Sequence, residues 1–312
     1  MGISTLIVVN AEARNVRTGL RWARLEADAM RRLAPAELEI VDSPADAEQV
    51  AWNAAMAGYG RLVVVGDLAT ASAFVNGVMR LAESHRRNLK LGFLSLGRPD
   101  AWCRALGIPV DPQRQLDVLC AGNVLPYDAG RVECVDADGA PVTRHFVSGV
   151  ALWPTMPRAG APAIETTLTS DGEILHRGTC YAAFAMQSPH YPGLGLVSPQ
   201  ANPSDGALDV AWVEVNGMAA LASSLALSLL RVPVGLSHRT AQEVRWSSAD
   251  PLIGVHADGE LIGRLPAVIS VMPRTLPVIV EAIGSRLREK QKALMKELGG
   301  TALASRYEGL ER

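Results

Sequence analysis

Residues 61–79 read R-L-V-V-V-G-D-L-A-T-A-S-A-F-V-N-G-V-M. Val63, Val64 and Val65 form a run too short for a helix and apolar in every position, the pattern of a strand covered on both faces. Gly66 and Asp67 break the run, and from Thr70, the predicted cap, helical spacing continues to about residue 84. The same strand-then-helix unit recurs on either side. Upstream come a strand over 5–10, a helix over 17–33 carried by Leu20, Ala23, Ala27 and Met30, a strand over 37–41 and a helix over 45–57. Downstream, residues 91–95 make a fourth strand. Strands and helices alternating at this spacing predict a parallel sheet with right-handed crossovers and helices on its faces. Ligands bind such sheets beyond the carboxyl ends of the strands, so the loops at 10–17, 66–70 and 95–104 are where a site is expected.

Beyond Leu125 the texture changes. Short alternating runs at 130–135, 142–152, 163–168, 173–176, 180–186, 208–215, 242–247, 252–257 and 267–273 are separated by turn signals such as Ala137-Asp138-Gly139 and Ser170-Asp171-Gly172. This is antiparallel territory, interrupted by a predicted helix over 216–230. The expectation is two domains joined near Leu125, with a cleft between them and a break in the sheet from one to the other. A last helix is predicted over 281–298, made basic by Arg286, Arg288, Lys290, Lys292 and Lys296. Packing on its own sheet is the leading role for it; contact with a membrane surface and a homodimer interface are the alternatives.

Composition excludes several classes. Thirty Lys and Arg against thirty-two Asp and Glu leave a net charge of −2, without the basic excess that coating a nucleic acid requires, so no nucleic-acid partner is expected. Apolar residues at 48% with charged residues at 20% provide a sizeable core and exclude wholesale disorder. Cys103, Cys120, Cys134 and Cys180 lie far apart with no CxxC spacing, which points to a reduced, cytoplasmic setting. The chain starts directly into a strand with no basic leader, and its longest apolar stretch, 218–230, falls short of the ~18 residues of a membrane-spanning helix. A soluble protein is expected, with peripheral membrane contact left open. His190, His238 and His256 lack a second ligand at zinc spacing and read as ordinary histidines. Neither a nucleophile elbow nor a Walker or Rossmann glycine motif occurs.

Four segments together are more specific. Residues 61–79 resemble the nucleotide loop of the diacylglycerol and sphingosine kinase catalytic family, a strand leading into Gly-Gly-Asp-Gly-Thr and a helix ending near Asn-Gly-Leu. Val63 to Gly66, Thr70, Val75, Asn76 and Gly77 fit it without a gap. Residues 91–109, L-G-F-L-S-L-G-R-P-D-A-W-C-R-A-L-G-I-P, are similar to the family's second nucleotide motif. Residues 191–210, Y-P-G-L-G-L-V-S-P-Q-A-N-P-S-D-G-A-L-D-V, resemble its substrate-domain motif, and Asp258-Gly259-Glu260 its late Asp-Gly-Glu. The order and approximate spacing are kept from residue 4 to about 280.

The resemblance implies a Rossmann-like α/β domain over 1–125 followed by an antiparallel β-sandwich over 126–273, the arrangement of NAD kinases and diacylglycerol kinases, with 274–312 returning to the first domain. It implies ATP and Mg²⁺ as cofactors and a lipid or other amphiphile as partner near the cleft. Asn10, Gly66, Thr70, Gly97 and Arg98 take the nucleotide positions. Glu260 takes that of the general base, with Asp258 two before it. Asn202, Asp205 and Ala207 match a structural Mg²⁺ loop of bacterial members, and the alternative for each acidic pair is a plain Asp-Gly turn.

The chain departs from the pattern where phosphate would sit. Gly-Gly-Asp-Gly-Thr becomes Gly66-Asp67-Leu68-Ala69-Thr70, so two glycines gain side chains and Leu68 holds the aspartate's place. A one-residue slip would return Asp67 to the catalytic acid position; a helix cap is the competing role. Asn10-Ala11-Glu12-Ala13 lacks the first loop's glycine, and Arg98-Pro99-Asp100-Ala101 replaces Thr-Gly-Asn-Asp, removing a backbone donor at Pro99. Three altered loops at one site put ATP use in doubt and make a degraded nucleotide site with retained lipid binding the first reading. An active lipid kinase with unusual phosphate contacts comes second, and a changed enzyme in the same cleft third.

Overall fold

The computed structural model describes residues 4–13, 17–96, 101–154, 164–180, 182–213, 236–248 and 253–281. β1 (Thr5–Asn10) is buried from end to end, as its unbroken apolar run requires. The helix expected over 17–33 is two, α1 (Arg17–Trp22) and α2 (Glu26–Arg32). Between them the amides of Arg24 and Leu25 bond back only three residues, to Arg21 and Trp22, and this tighter turn puts Trp22 and Leu25 into one core.

β2 (Ala36–Val41) is followed by α3 (Pro44–Met56), which opens with Ser43 accepting from the Asp46 amide and with Pro44 in the first turn. β3 (Arg61–Val65), α4 (Leu68–Met79), the single turn α5 (Glu83–Arg86) and β4 (Lys90–Leu94) complete a parallel sheet ordered β2-β1-β3-β4. α6 (Ala101–Leu106) and α7 (Pro112–Ala121) lead out of it, the second stopped by Gly122 in the left-handed region at φ +62°. α3 and α4 supply Val50, Ala51, Phe74 and Val75 to the core on one face, while α1, α2 and α7 supply Trp22, Ala29 and Leu116 on the other.

The second half is antiparallel. β5 (Val124–Val135), β6 (Pro141–Phe146), β7 (Gly149–Pro154), β8 (Ile164–Ser170), β9 (Glu173–Cys180) and β10 (Ala182–Met186) precede a short pair, β11 (His190–Tyr191) with β12 (Gly195–Leu196). Then follow β13 (Leu208–Val213), β14 (Leu236–Ala241), β15 (Glu243–Ser247), β16 (Ile253–Ala257) and β17 (Glu260–Ile279). The helices expected over 216–230 and 281–298 lie outside the described residues.

The expected break in the sheet is absent, and the two halves share one hydrogen-bonded network. Its path runs β14-β13-β10-β7-β16-β17-β4-β3-β1-β2. β17 pairs antiparallel with β5 along its length and then, at Val278, lies parallel to Leu91 of β4. A strand of 20 residues serves both halves because it bends, with register shifts between Arg264 and Val268 and between Met272 and Leu276. The cores nonetheless stay distinct: Val132, Leu152, Val210, Trp246 and Ile269 form a cluster separate from the one around α3 and α4. The fold class, an α/β half followed by an antiparallel β half, is as expected.

Gly77 sets the approach of α3 to α4, since a Cβ there would lie 2.1 Å from the Glu48 carbonyl oxygen. Gly77→Ala is expected to lower stability by about 1–3 kcal/mol in urea denaturation, although alanine is the better helix former. An unchanged or higher midpoint would show that the two helices separate freely.

Candidate functional site

At the carboxyl ends of β1 and β3, three predicted positions meet. Asn10 Nδ2 donates to Thr70 Oγ1 at 2.8 Å, and Asn10 Oδ1 accepts from the Ala13 amide at 3.1 Å. Thr70 Oγ1 donates in turn to Asp67 Oδ1 at 2.8 Å, and the Thr70 amide reaches the same oxygen at 3.1 Å. Asp67, not Thr70, is therefore the cap of α4. Leu68 and Ala69, which stand where the family keeps glycine-loop residues, are already helical, and Leu68 is buried.

Gly66 remains necessary in this arrangement: a Cβ on it would come within 2.8 Å of Thr70 Cβ. Beneath the turn lies a pocket lined by Val64, Gly66, Asp67, Ser95 and Trp102, with room for about one water molecule. Trp102 fills the space next to it, its ring 4.0 Å from that of Phe93 in an edge-on contact. Gly97 and Arg98 lie outside the described residues.

A helix N-terminus attracts anions through its free amides and its dipole. Here the Asp67 carboxylate takes that position, and Leu68 and Ala69 are the first residues of α4.

The second predicted cluster is divided. β16 and β17 are joined by Asp258 and Gly259, both left-handed (φ 50° and 91°), which is the two-residue hairpin that an Asp-Gly pair favours. The Asp258 side chain turns inward. Its Oδ1 accepts from the Ser148 amide at 2.7 Å and the Gly149 amide at 3.3 Å, and its Oδ2 from the Val147 amide at 3.0 Å and Ser72 Oγ at 2.8 Å. Burial pushes this carboxyl up to about 6 against the pull of those hydrogen bonds. Glu260, one residue past the turn, is exposed. Asp258 thus faces the protein and Glu260 the solvent.

The predicted metal loop is a hydrogen-bonded turn. Asn202 Oδ1 accepts from the Ser204 amide at 3.2 Å and Asp205 Oδ1 from the Ala207 amide at 3.1 Å. Asp205 is exposed, and among the described residues no group of three or more His, Cys, Asp or Glu side chains gathers as a metal site would. A lone carboxylate in such a turn holds Mg²⁺ weakly.

Three residues that act here were missed in the sequence. Buried Asp128 fastens the loop: its Oδ2 accepts from the Gly206 amide and its Oδ1 from the Arg274 amide, each at 2.7 Å, while its own amide donates to the Pro203 carbonyl at 2.7 Å. Burial raises its carboxyl above the usual range, the two amides pulling the other way. Ser72 gives α4 its contact with Asp258. Asn76, matched earlier only as part of a motif, donates to the Ser72 and His145 carbonyls at 2.9 Å and accepts from the His145 amide at 2.8 Å, binding α4 to β6. Only helical spacing, Ser72 and Asn76 lying one turn apart, hinted at this shared role.

Comparison with known proteins bears on the family and the fold. Residues 4–132 match the diacylglycerol kinase catalytic domain, and residues 160–280 match the YegS C-terminal NAD kinase beta sandwich-like domain. A diacylglycerol kinase of Staphylococcus aureus (strain bovine RF122 / ET3-1) is 25% identical over 258 residues, 75% of this chain and 78% of its own. One from Staphylococcus carnosus (strain TM300) is 22% identical over 234 residues, 67% and 72% of the two chains. Of solved structures, a diacylglycerol kinase from Bacillus anthracis str. Sterne superposes with a TM-score of 0.72 at 16% identity, covering 89% of this chain and 97% of that one. Yeast NADH kinase complexed with NADH gives 0.58 at 11% identity, covering 96% and 88%. The fold is the one shared by diacylglycerol kinases and NAD kinases. By its sequence the chain belongs to the diacylglycerol kinase family, a kinase family whose general cofactors are ATP and Mg²⁺.

Two measurements test the site's geometry. Asp67→Ala should cost about 1 kcal/mol through loss of the cap, while Asp67→Ser, which caps equally well, should be nearly neutral. For Asp258, the fold binds the proton more tightly than the unfolded chain does, at about 6 against an ordinary 3.8. Its contribution to stability is therefore fullest below pH 3.8 and is lost as pH rises through about 6. Asp258→Asn should flatten the stability–pH profile across that window. An unaltered profile would show that Asp258 titrates as it does in the unfolded chain.

Proposed function

We propose that this protein is a lipid-binding member of the diacylglycerol kinase family whose nucleotide loop is closed, with weak or absent kinase activity. The observation that carries this reading is the Asp67 carboxylate on the N-terminus of α4, bound to both the amide and the hydroxyl of Thr70. A phosphate entering there meets a like charge and displaces a cap, and it finds Asp67 and Ala69 in place of glycines, with Leu68 in the aspartate's place. The substrate half is less altered: Ser198-Pro199, Asp205-Gly206, Leu208-Asp209 and Asp258-Gly259-Glu260 keep the family's register. An amphiphile between the two halves is the ligand this asymmetry favours. Its chain would bind by the hydrophobic effect, and the exposed Glu260 carboxylate would reach its polar end.

One observation favours a second reading. The curated relatives at 25% and 22% identity carry the name diacylglycerol kinase, so transfer of the ATP γ-phosphate to a lipid hydroxyl is the alternative, with Asp67 and Arg98 supplying the phosphate contacts.

Calorimetry with ATP and Mg²⁺ separates the two. Affinity weaker than millimolar is expected, and a micromolar dissociation constant overturns the closed-loop reading. In a graded series of acylglycerols, affinity should climb about fourfold per added CH₂, from ~0.8 kcal/mol per buried methylene. Glu260→Gln should weaken every member equally and leave that slope unchanged. Flat affinity across chain lengths would remove the amphiphile.

A further inference from the structure

Three polar groups converge on one ring nitrogen at the edge of the antiparallel half. Ser198 Oγ lies 3.2 Å and Gln200 Nε2 2.6 Å from His238 Nε2, both from the turn after β12, and Asp209 Oδ1 of β13 lies 3.0 Å from it. Sequence spacing gives His238 no second ligand; the fold brings its partners from a turn and the adjacent strand. Asp209 pairs with Thr240 and Ala211 with His238, so Asp209 and His238 stand diagonally on one face of the β13–β14 ladder. Backbone bonds hold the turn against them. The Val197 and Ser198 amides donate to the Pro189 carbonyl at 2.9 and 3.2 Å, and the Ala201 amide donates to the Ser198 carbonyl at 3.0 Å. Ser198 is 1% exposed and Asp209 3%, whereas the His238 side chain is 30% exposed, so the cluster is rigid within and open to solvent on one side.

An imidazole nitrogen carries one hydrogen or one lone pair, and neither serves three neighbours. Asp209 Oδ1 accepts no hydrogen bond among the described residues despite its approach to Nε2, so a buried carboxylate oxygen faces the cluster unsatisfied. A cation among the four side chains satisfies all of them together. Ligands held about 2.1 Å from a divalent ion stand about 3.0 Å apart when it is six-coordinate and about 3.4 Å when it is four-coordinate. The separations of Ser198 Oγ and Asp209 Oδ1 from His238 Nε2 fall in that interval. Gln200 is exposed, and turning its carboxamide over presents oxygen in place of nitrogen. We propose that His238 Nε2, Asp209 Oδ1, Ser198 Oγ and the Gln200 carboxamide oxygen bind a zinc ion, with water completing its shell. The imidazole selects a transition metal over Mg²⁺ or Ca²⁺, which take oxygen ligands. The donor set shares no residue with the Asn202–Ala207 turn. Its ion fastens the turn after β12 to β13 and β14.

The test uses the full chain, stripped with EDTA and titrated with zinc chloride or magnesium chloride in calorimetry and thermal unfolding. Wild type should take up zinc at one ion per chain with micromolar affinity, and zinc should raise its melting temperature more than the same concentration of magnesium does. His238→Gln keeps a polar side chain and removes the imidazole. It should weaken zinc binding by roughly tenfold or more and abolish the zinc-induced rise in melting temperature. Gln200→Ala, at an exposed position, should weaken zinc a few-fold and leave the metal-free melting temperature unchanged. Zinc affinity unaltered by His238→Gln places the ion elsewhere and overturns the proposal, as does magnesium bound as tightly as zinc. Absence of zinc binding by wild type up to millimolar concentration overturns it too and leaves the cluster a hydrogen-bonded clasp. Should His238→Gln fail to fold, zinc affinity unaltered in both Gln200→Ala and Ser198→Ala overturns the proposal, and a few-fold loss in each upholds it.

Discussion

The hydrogen bond from Ser72 Oγ to Asp258 Oδ2 joins a helix of the parallel half to a hairpin of the antiparallel half. Asp258 could not lie there alone, because a buried carboxylate without partners is among the costliest groups a fold can hold. The chain meets that cost with consecutive amides at 147–149 and with the left-handed turn that aims the side chain inward. α4 then carries three linked constraints along its length: Asp67 caps it, Ser72 binds Asp258, and Asn76 clasps the backbone of β6. The relative placement of the two halves follows from that one helix, reinforced by β17, which bends to serve both.

This arrangement explains how family motifs survive in a chain whose phosphate loop is altered. Asn76 and Gly77 hold α4 against β6 and α3, a packing role that persists whether or not a nucleotide is present. Gly66 is held by its close approach to Thr70 within the loop itself. The Asp-Gly pairs at 205 and 258 make turns, and Asp128 and Asp258 bury their charge among backbone amides. Residues of the family's motifs thus make structural contacts as well, while of the diverged positions Asp67 caps α4 and Leu68 and Ala69 begin it.

Much of this was legible in the sequence. The four parallel strands, the helix α3 and the hairpin at Asp258-Gly259 follow from apolar runs, helical spacing and turn chemistry, which depend on neighbours within a few residues. Membership of the kinase family followed from four ordered motifs. The capping role of Asp67 was visible as one of two options, since a single aspartate before a helix suits both cap and catalytic acid.

What only the tertiary structure decided depends on groups far apart in the chain. The sheet's continuity rests on β17 meeting both β5 and β4, a pairing across more than a hundred residues to which local propensity is blind. The break between α1 and α2 follows from burying Trp22 and Leu25 together, a packing demand that helical spacing does not express. Asp258 and Glu260 share a motif, yet one is buried and the other exposed, because Asp258 sits in the left-handed turn with its side chain bonded to the amides at 147–149 while Glu260 begins the strand beyond it. Asp128 gave no signal at all: its importance lies in two amides, of Gly206 and Arg274, that reach it only once the fold has closed. Periodicity and turn chemistry are properties of short segments and can be read from one sequence, whereas the cost of burying a charge, and the partners that offset it, exist only in the assembled core.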